Sequence, residues 1–202
     1  MEIRKILSVA LAALALLSVP LMEASATTSD AERDAAEAKA REYFTNLEVI
    51  DQDGNRLRFY DDLLKDKVVA INFIFTNCQG ACPLMTRQLT LVRDQLGAEI
   101  GKDIHFLSIS IDPVRDTPAA MKEFAKTHEA DQAGWRFVTG SPKNLTYIVQ
   151  KLGQYTEDVE AHSTLLIAAN VRTAHWTKIP PNVPPNGIVE RLRMLIEEDA
   201  AE

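Results

Sequence analysis

The sequence predicts an α/β fold: a central mixed β-sheet flanked by helices, with an N-terminal β-hairpin. Three observations predict it. Residues 68–75, VVAINFIF, form an almost unbroken run of β-branched and aromatic residues, as a strand covered on both faces requires. Runs of this kind then alternate with helix-like segments, the order of βαβ units. Hydrophobic residues make 46% of the chain and charged residues 25%, the composition of a globular domain.

The elements follow in order. Residues 27–43 are rich in Ala and charge and read as a partly helical lead-in, with Ser29 and Glu32 as a capping box. The domain runs from residue 44 to 202. Asn46–Ile50 and Arg56–Phe59 flank Asp53-Gly54, a hairpin with a D-G turn. Val68–Phe75 is the central strand. Pro83–Leu96 has helical spacing through Leu84, Leu91 and Val92, closed by Gly97. Ile104–Ile111 is a second buried strand. Thr117-Pro118 opens a helix, with Thr as cap and Pro in the first turn. Trp135–Val138 is a short strand, and Ser141-Pro142 opens a helix ending at Gly153. Thr164–Ala169 and Ala174–Ile179 pair as strands. Residues 180–186 form a stiff Pro-rich loop, and Gly187–Glu198 is the last helix.

Charge and cysteine content narrow the function. The 202 residues carry 22 Lys+Arg against 29 Asp+Glu, a net charge of -7. No basic excess exists to neutralise phosphates, so no nucleic-acid partner is expected. Two cysteines are too few for a disulfide-built mini-protein. Residues 1–26 combine Arg4 and Lys5, an apolar run from Ile6 to Met22, and the ending Ala24-Ser25-Ala26. That is the pattern of a secretory signal peptide. An uncleaved inner-membrane anchor is the alternative, since the run reaches the short edge of a bilayer span; it would be the only contact with a membrane. Either way the domain is placed in the periplasm, where a disulfide can persist.

Both cysteines follow the central strand, in Thr76-Asn77-Cys78-Gln79-Gly80-Ala81-Cys82-Pro83. The carboxyl end of a central strand is where α/β sheets place their sites. A helix N-terminus favours thiolate and is expected to lower thiol pKa. A spacing of four brings the sulfurs together across one turn, close enough for a disulfide or for one soft metal ion. A ring over so few residues removes little chain entropy, which argues against a purely structural bridge. A structural zinc site would want four ligands in paired spacing, and there is no second Cys pair. A strand running into a reactive dithiol helix suggests a thioredoxin-like fold, although three residues rather than two separate the cysteines. No Thr lies three residues before either cysteine, which excludes the peroxiredoxin pattern.

Three motifs in order, Phe73-x-Phe75-Thr76-Asn77-Cys78-x-x-x-Cys82-Pro83, Ser110-Ile111-Asp112-Pro113-x-x-Asp116-Thr117-Pro118, and His162-Ser163 before a strand, resemble the Sco/SenC family. The resemblance runs from about Leu47 to Leu195. It implies a thioredoxin-like fold and a role in assembling the copper site of cytochrome c oxidase. It implies Cys78, Cys82 and His162 as copper ligands, with Asp112 and Asp116 near the copper, and an oxidase subunit as recipient. Two thiolates and an imidazole are a suitable set for copper; thiolate softness favours Cu(I), with Cu(II) a second state. Ser163 resembles the position at which thioredoxin-like folds carry a cis-Pro facing the dithiol.

Several residues have local explanations. Asp112-Pro113 initiates a turn and Asp116 precedes a helix cap. Met85 fills a core gap before it serves as a ligand. His105, His128 and His175 are structural or solvated. Gln79-Gly80-Ala81 lacks the acidic residue often found between the cysteines, and the segment before His162 is short and acidic. A thiol–disulfide oxidoreductase using redox-active Cys78 and Cys82, served by a thioredoxin-like reductant, is the alternative function; an inert structural disulfide is the third.

Overall fold

The computed structural model describes residues 23–198. The apolar run of the expected signal peptide, residues 6–22, lies outside them. No helix among the described residues is long and apolar enough to cross a membrane. From Glu37 on, the described residues form one compact unit; of residues 1–36, only 23–36 are described, and they lie in helix α1, Glu23–Phe44. That helix starts before Ser29, so the expected capping box is interior to it.

Seven strands form one mixed sheet. They are β1 Glu48–Asp51, β2 Arg56–Arg58, β3 Val68–Ile74, β4 Ile104–Ser110, β5 Trp135–Thr139, β6 Leu166–Asn170 and β7 His175–Ile179. Their order is β2-β1-β5-β4-β3-β6-β7. β3, β4 and β5 are parallel, joined by crossovers through α2 (Ala81–Leu96) and α3 (Pro118–Thr127). β1 and β6 run antiparallel to their neighbours. The remaining helices are α4, Pro142–Lys151, and α5, Pro185–Glu197.

β3 is buried at every position, as its composition predicts, and its alternation sorts the two cores. Val68, Ala70 and Ile74 join the core that holds Cys78, Cys82 and the inner faces of α2, α3 and α5. Val69, Ile71 and Phe73 join the core on the opposite face, with Phe44, Phe59 and α4. Each face buries its own apolar layer, the condition for a strand without polar alternation.

The structure departs from the sequence reading at several places, among them the last helix, which begins at Pro185 inside the expected Pro-rich loop because Pro fits a first helical turn. The hairpin turn is built on Asp51, whose carboxylate accepts from the backbone N–H of Asp53 and Asn55, while Gly54 supplies the positive φ of 85°. Phe59 does not extend β2; it opens a π-helical turn, Phe59–Leu64, that buries Phe59, Tyr60, Leu63 and Leu64. α2 begins at Ala81 rather than Pro83, and its buried stripe is Cys82, Met85, Leu89, Val92 and Leu96. Leu84 and Leu91, read as part of that stripe, are 70% and 49% exposed. β6 begins at Leu166 rather than Thr164, the Leu165 N–H being taken by Ser163 Oγ rather than by a neighbouring strand. No peptide bond among the described residues is cis.

Candidate metal and dithiol centre

β3 ends at Ile74 and the chain turns sharply. The Cys78 N–H donates to the carbonyl of Phe75 at 3.1 Å, and Gly80 caps α2. Cys82 therefore sits in the first helical turn, where backbone N–H groups have no partner inside the helix. Its own N–H donates to Cys78 Sγ at 3.3 Å. The two thiols are free and buried, Cys78 8% and Cys82 1% exposed.

His162 reaches this centre from the far side of the sequence. β6 is antiparallel to β3, with Val68 opposite Asn170 and Ile71 opposite Ile167. The chain before β6 must therefore run back towards the loop that follows β3. A short 3-10 turn, Val159–Ala161, precedes His162, and its Glu160 N–H donates to the Asp158 carboxylate. His162 Nδ1 lies 2.8 Å from the Val159 carbonyl. A carbonyl only accepts, so Nδ1 carries a proton, which leaves Nε2 as the nitrogen able to offer a lone pair. That atom lies 3.8 Å from Cys82 Sγ, and the ring stands edge-on to Phe75. The structure thus brings Cys78, Cys82 and His162 to one place. As they stand, they are not closed around a point: among the described residues, no group of three or more His, Cys, Asp or Glu side chains is arranged to hold a metal ion.

The electrostatics depart from expectation at Cys82. Burial pushes its thiol well above the ordinary range, the Cys78 side chain adds to this, and the negative charge of Asp116 contributes. The helix N-terminus does not reverse the shift, because desolvation of a thiolate outweighs a partial dipole charge. The orphan N–H of Cys82 is spent on Cys78 instead.

Asp116 is fully buried. It accepts from the Thr76 N–H at 2.9 Å, the Thr76 hydroxyl at 2.6 Å and the Ser110 hydroxyl at 2.5 Å. It thereby ties the start of the cysteine loop to the end of β4. Asp112 is differently engaged: its carboxylate pairs with Arg115 at 2.8 Å, its carbonyl accepts from Arg115 and Asp116, and its N–H donates to Ser110 Oγ. It shapes the turn and makes no contact with the sulfurs or His162. Thr117 caps α3 as predicted, accepting from the Ala120 N–H.

Met85 is buried on the face of α2 that carries Cys82. His105 is half-buried on β4 with its pKa lowered, first by burial and then by Lys67. His128 packs on Phe124, and His175 Nδ1 meets Glu198 at 2.7 Å; none of these three approaches the dithiol. Sequence reasoning missed Thr76, Ser110 and the Val159 carbonyl. The two hydroxyls stand inside the motifs already singled out, whereas no side-chain pattern announces a carbonyl.

A mixed sheet whose central strand runs into a buried dithiol at a helix start, faced by the segment entering the adjacent antiparallel strand, defines a thioredoxin-like protein. The structure superimposes on BsSco, described as a member of the Sco family of cytochrome c oxidase assembly proteins with a disulfide switch, with a TM-score of 0.62 and 25% identity over 75% of this chain and 91% of that one. It also superimposes on copper-bound ScoI of Arabidopsis thaliana, with a TM-score of 0.62 and 22% identity over 75% and 96% of the two chains, a likeness of fold. The SCO1 protein homolog of Bacillus subtilis is 38% identical over 89 residues, 44% of this chain and 45% of that protein. The match thus spans under half the length of that relative. The SCO1/SenC family profile matches residues 35–197, and the chain belongs to this family.

Proposed function

We propose that this protein is a copper-binding assembly factor that takes up copper through Cys78, Cys82 and His162 and passes it to a copper site in a target protein, a subunit of cytochrome c oxidase. One observation carries the reading. His162 gives its Nδ1 proton to the Val159 carbonyl and turns Nε2 towards Cys82 Sγ at 3.8 Å. A ring fixed through one nitrogen by a backbone acceptor, with the other turned to a sulfur, is the usual support of a metal-binding histidine. The copper-bound state of the Arabidopsis neighbour supports the cargo, and the description of BsSco supports the destination.

Two sulfurs favour Cu(I), and the imidazole extends the set towards Cu(II). All three donors must be free of protons to bind, so uptake releases protons and weakens as pH falls. Burial favours the protonated Cys82 thiol, so metal uptake there displaces a proton. Delivery then proceeds by ligand exchange with the recipient. Asp116 holds the cysteine loop by Thr76, and Asp112 maintains the turn that presents Asp116. Residues 1–26 send the domain to the periplasm, by cleavage or as an inner-membrane anchor.

A second reading rests on the inequality of the two thiols. Cys78 is the more accessible and receives the helix N–H; Cys82 is deeper and held protonated. In that reading the Cys78 thiolate attacks a target disulfide, releasing one target thiol and forming a mixed disulfide. Cys82 then attacks Cys78 sulfur, releasing the second thiol and leaving a Cys78–Cys82 disulfide. A thioredoxin-like reductant restores the dithiol. His162 plays no part.

An anaerobic Cu(I) titration against a competing chelator separates the two, using reduced wild type, His162→Ala and Cys78→Ser. One tightly held equivalent, weakened in both variants, is the expected result. Absence of competitive binding by wild type would sink copper delivery and leave the oxidoreductase. His162→Ala is expected to leave disulfide exchange largely intact.

A further inference from the structure

On the face of the sheet opposite the dithiol lies a cavity of about 310 Å³, lined by Tyr43, Phe44, Leu152, Ile167 and Trp176 with Thr177, Lys151 and Lys178. Its walls are aromatic: Phe44 stacks on Trp176 with ring centroids 4.6 Å apart, and Tyr43 meets Phe44 edge-on. Its volume falls at the lower end of small-molecule sites, which are mostly apolar with a few placed polar groups.

The charged groups here share one sign. Lys151 Nζ stands 4.7 Å from the Tyr43 ring centre and 5.3 Å from that of Tyr147, and the Tyr43 hydroxyl donates to the Lys151 carbonyl. Lys178 projects from β7 at the same cavity. Neither ammonium has a carboxylate partner among the described residues, whereas Lys65 and Lys122 do. In a chain of net charge -7, two cations without counter-charge at one apolar cavity form a local positive site. Cation–π contact pre-positions Lys151 without neutralising it.

We propose that this cavity binds a small organic anion with an apolar body, of the aliphatic carboxylate class. The hydrocarbon packs against Phe44, Ile167 and Trp176, and the carboxylate meets the lysines at the rim. The site is separate from the copper centre and does not depend on its function.

Trp176 provides the readout, because it lines the cavity while Trp135 is buried in the other core. Full-length protein is titrated with decanoate, decanol and decyltrimethylammonium, following tryptophan fluorescence. Saturable quenching by decanoate is expected, with decanol weaker by about tenfold or more, equivalent to about 1.4 kcal/mol, and the cation inert. The combined Lys151→Gln and Lys178→Gln variant should lose about tenfold in decanoate affinity while its far-ultraviolet circular dichroism and Cu(I) titration match wild type. Trp176→Phe should abolish the quenching. Equal binding of decanoate and decanol, quenching that survives the lysine changes, or no saturable binding would each overturn the proposal.

Discussion

Asp116 offers the sharpest test of how the cysteine loop is held. Its carboxylate is fully buried and has three donors, the Thr76 N–H, the Thr76 hydroxyl and the Ser110 hydroxyl. Asp116→Ala leaves all three without that acceptor. The two hydroxyls can rotate and recover part of the loss, but the Thr76 N–H is fixed by the backbone. An unpaired buried donor costs about 1–3 kcal/mol, so the whole change, after relief of the carboxylate's own desolvation, should cost about 3 kcal/mol. For a domain of this size that lowers Tm by roughly 6–12 °C. Asp116→Asn keeps one oxygen for Thr76 and turns an amide towards Ser110, whose hydroxyl can accept instead; it should cost about 1 kcal/mol. Urea and thermal unfolding of the reduced, metal-free protein at neutral pH measure both. Equal losses for the two variants, or a loss below about 0.5 kcal/mol for Asp116→Ala, would refute the idea that these hydrogen bonds secure the loop.

Three further outcomes follow from the same geometry. Folded Cys82 keeps its proton above the ordinary value of 9.0, so the stability is full below that pH and is lost as pH rises through the folded value. The urea midpoint of the reduced apo protein should hold below the ordinary value of 9.0 and fall as pH rises above it, and Cys82→Ala should flatten that slope. His105 has the opposite sign: burial and Lys67 lower its pKa from 6.5, so its contribution is present above that pH and lost as pH falls through the folded value; His105→Gln should reduce the acid slope of stability. Gly134→Ala would put a Cβ 2.5 Å from the Gly101 nitrogen and 2.7 Å from its Cα at a φ of +83°, whereas at Gly54, with φ +85°, nothing lies within 4 Å. Calorimetry should find a loss of about 3 kcal/mol or more at Gly134 and about 1 kcal/mol at Gly54.

The fold was legible where one physical cause dominates. β3 reads as a doubly covered strand because every position is buried and no polar alternation interrupts it. The caps at Thr117 and Ser141 read correctly because a hydroxyl followed by Pro satisfies local donors without help from the rest of the chain. The reading weakened where burial competes with periodicity. In α2, Leu84 and Leu91 look like core positions, yet Cys82, Met85 and Leu89 are the inner face. The start of the helix at Ala81 fixes which face turns inward, and a Gly cap with no side-chain bond leaves little trace in sequence. The π-helical turn at Phe59 was hidden for a similar reason: Arg56–Phe59 alternates like a strand, and only packing of Phe59, Tyr60, Leu63 and Leu64 beneath the sheet pulls it away.

The candidate centre divides along the same line. The dithiol is a local object, and spacing alone places both sulfurs at one helix start. The approach of His162 to Cys82 spans 80 positions and comes from the antiparallel register of β6 on β3, which periodicity does not encode. Its orientation depends on a backbone carbonyl at Val159, a group every residue carries. The protonation of Cys82 depends on burial, which reverses what the helix terminus alone suggests. A dithiol at a helix start would by itself be equally suited to disulfide exchange. The register that sets an imidazole nitrogen beside the deeper sulfur is what tips the reading towards a metal cargo, so a variant that preserves the cysteines but removes that nitrogen is the decisive perturbation.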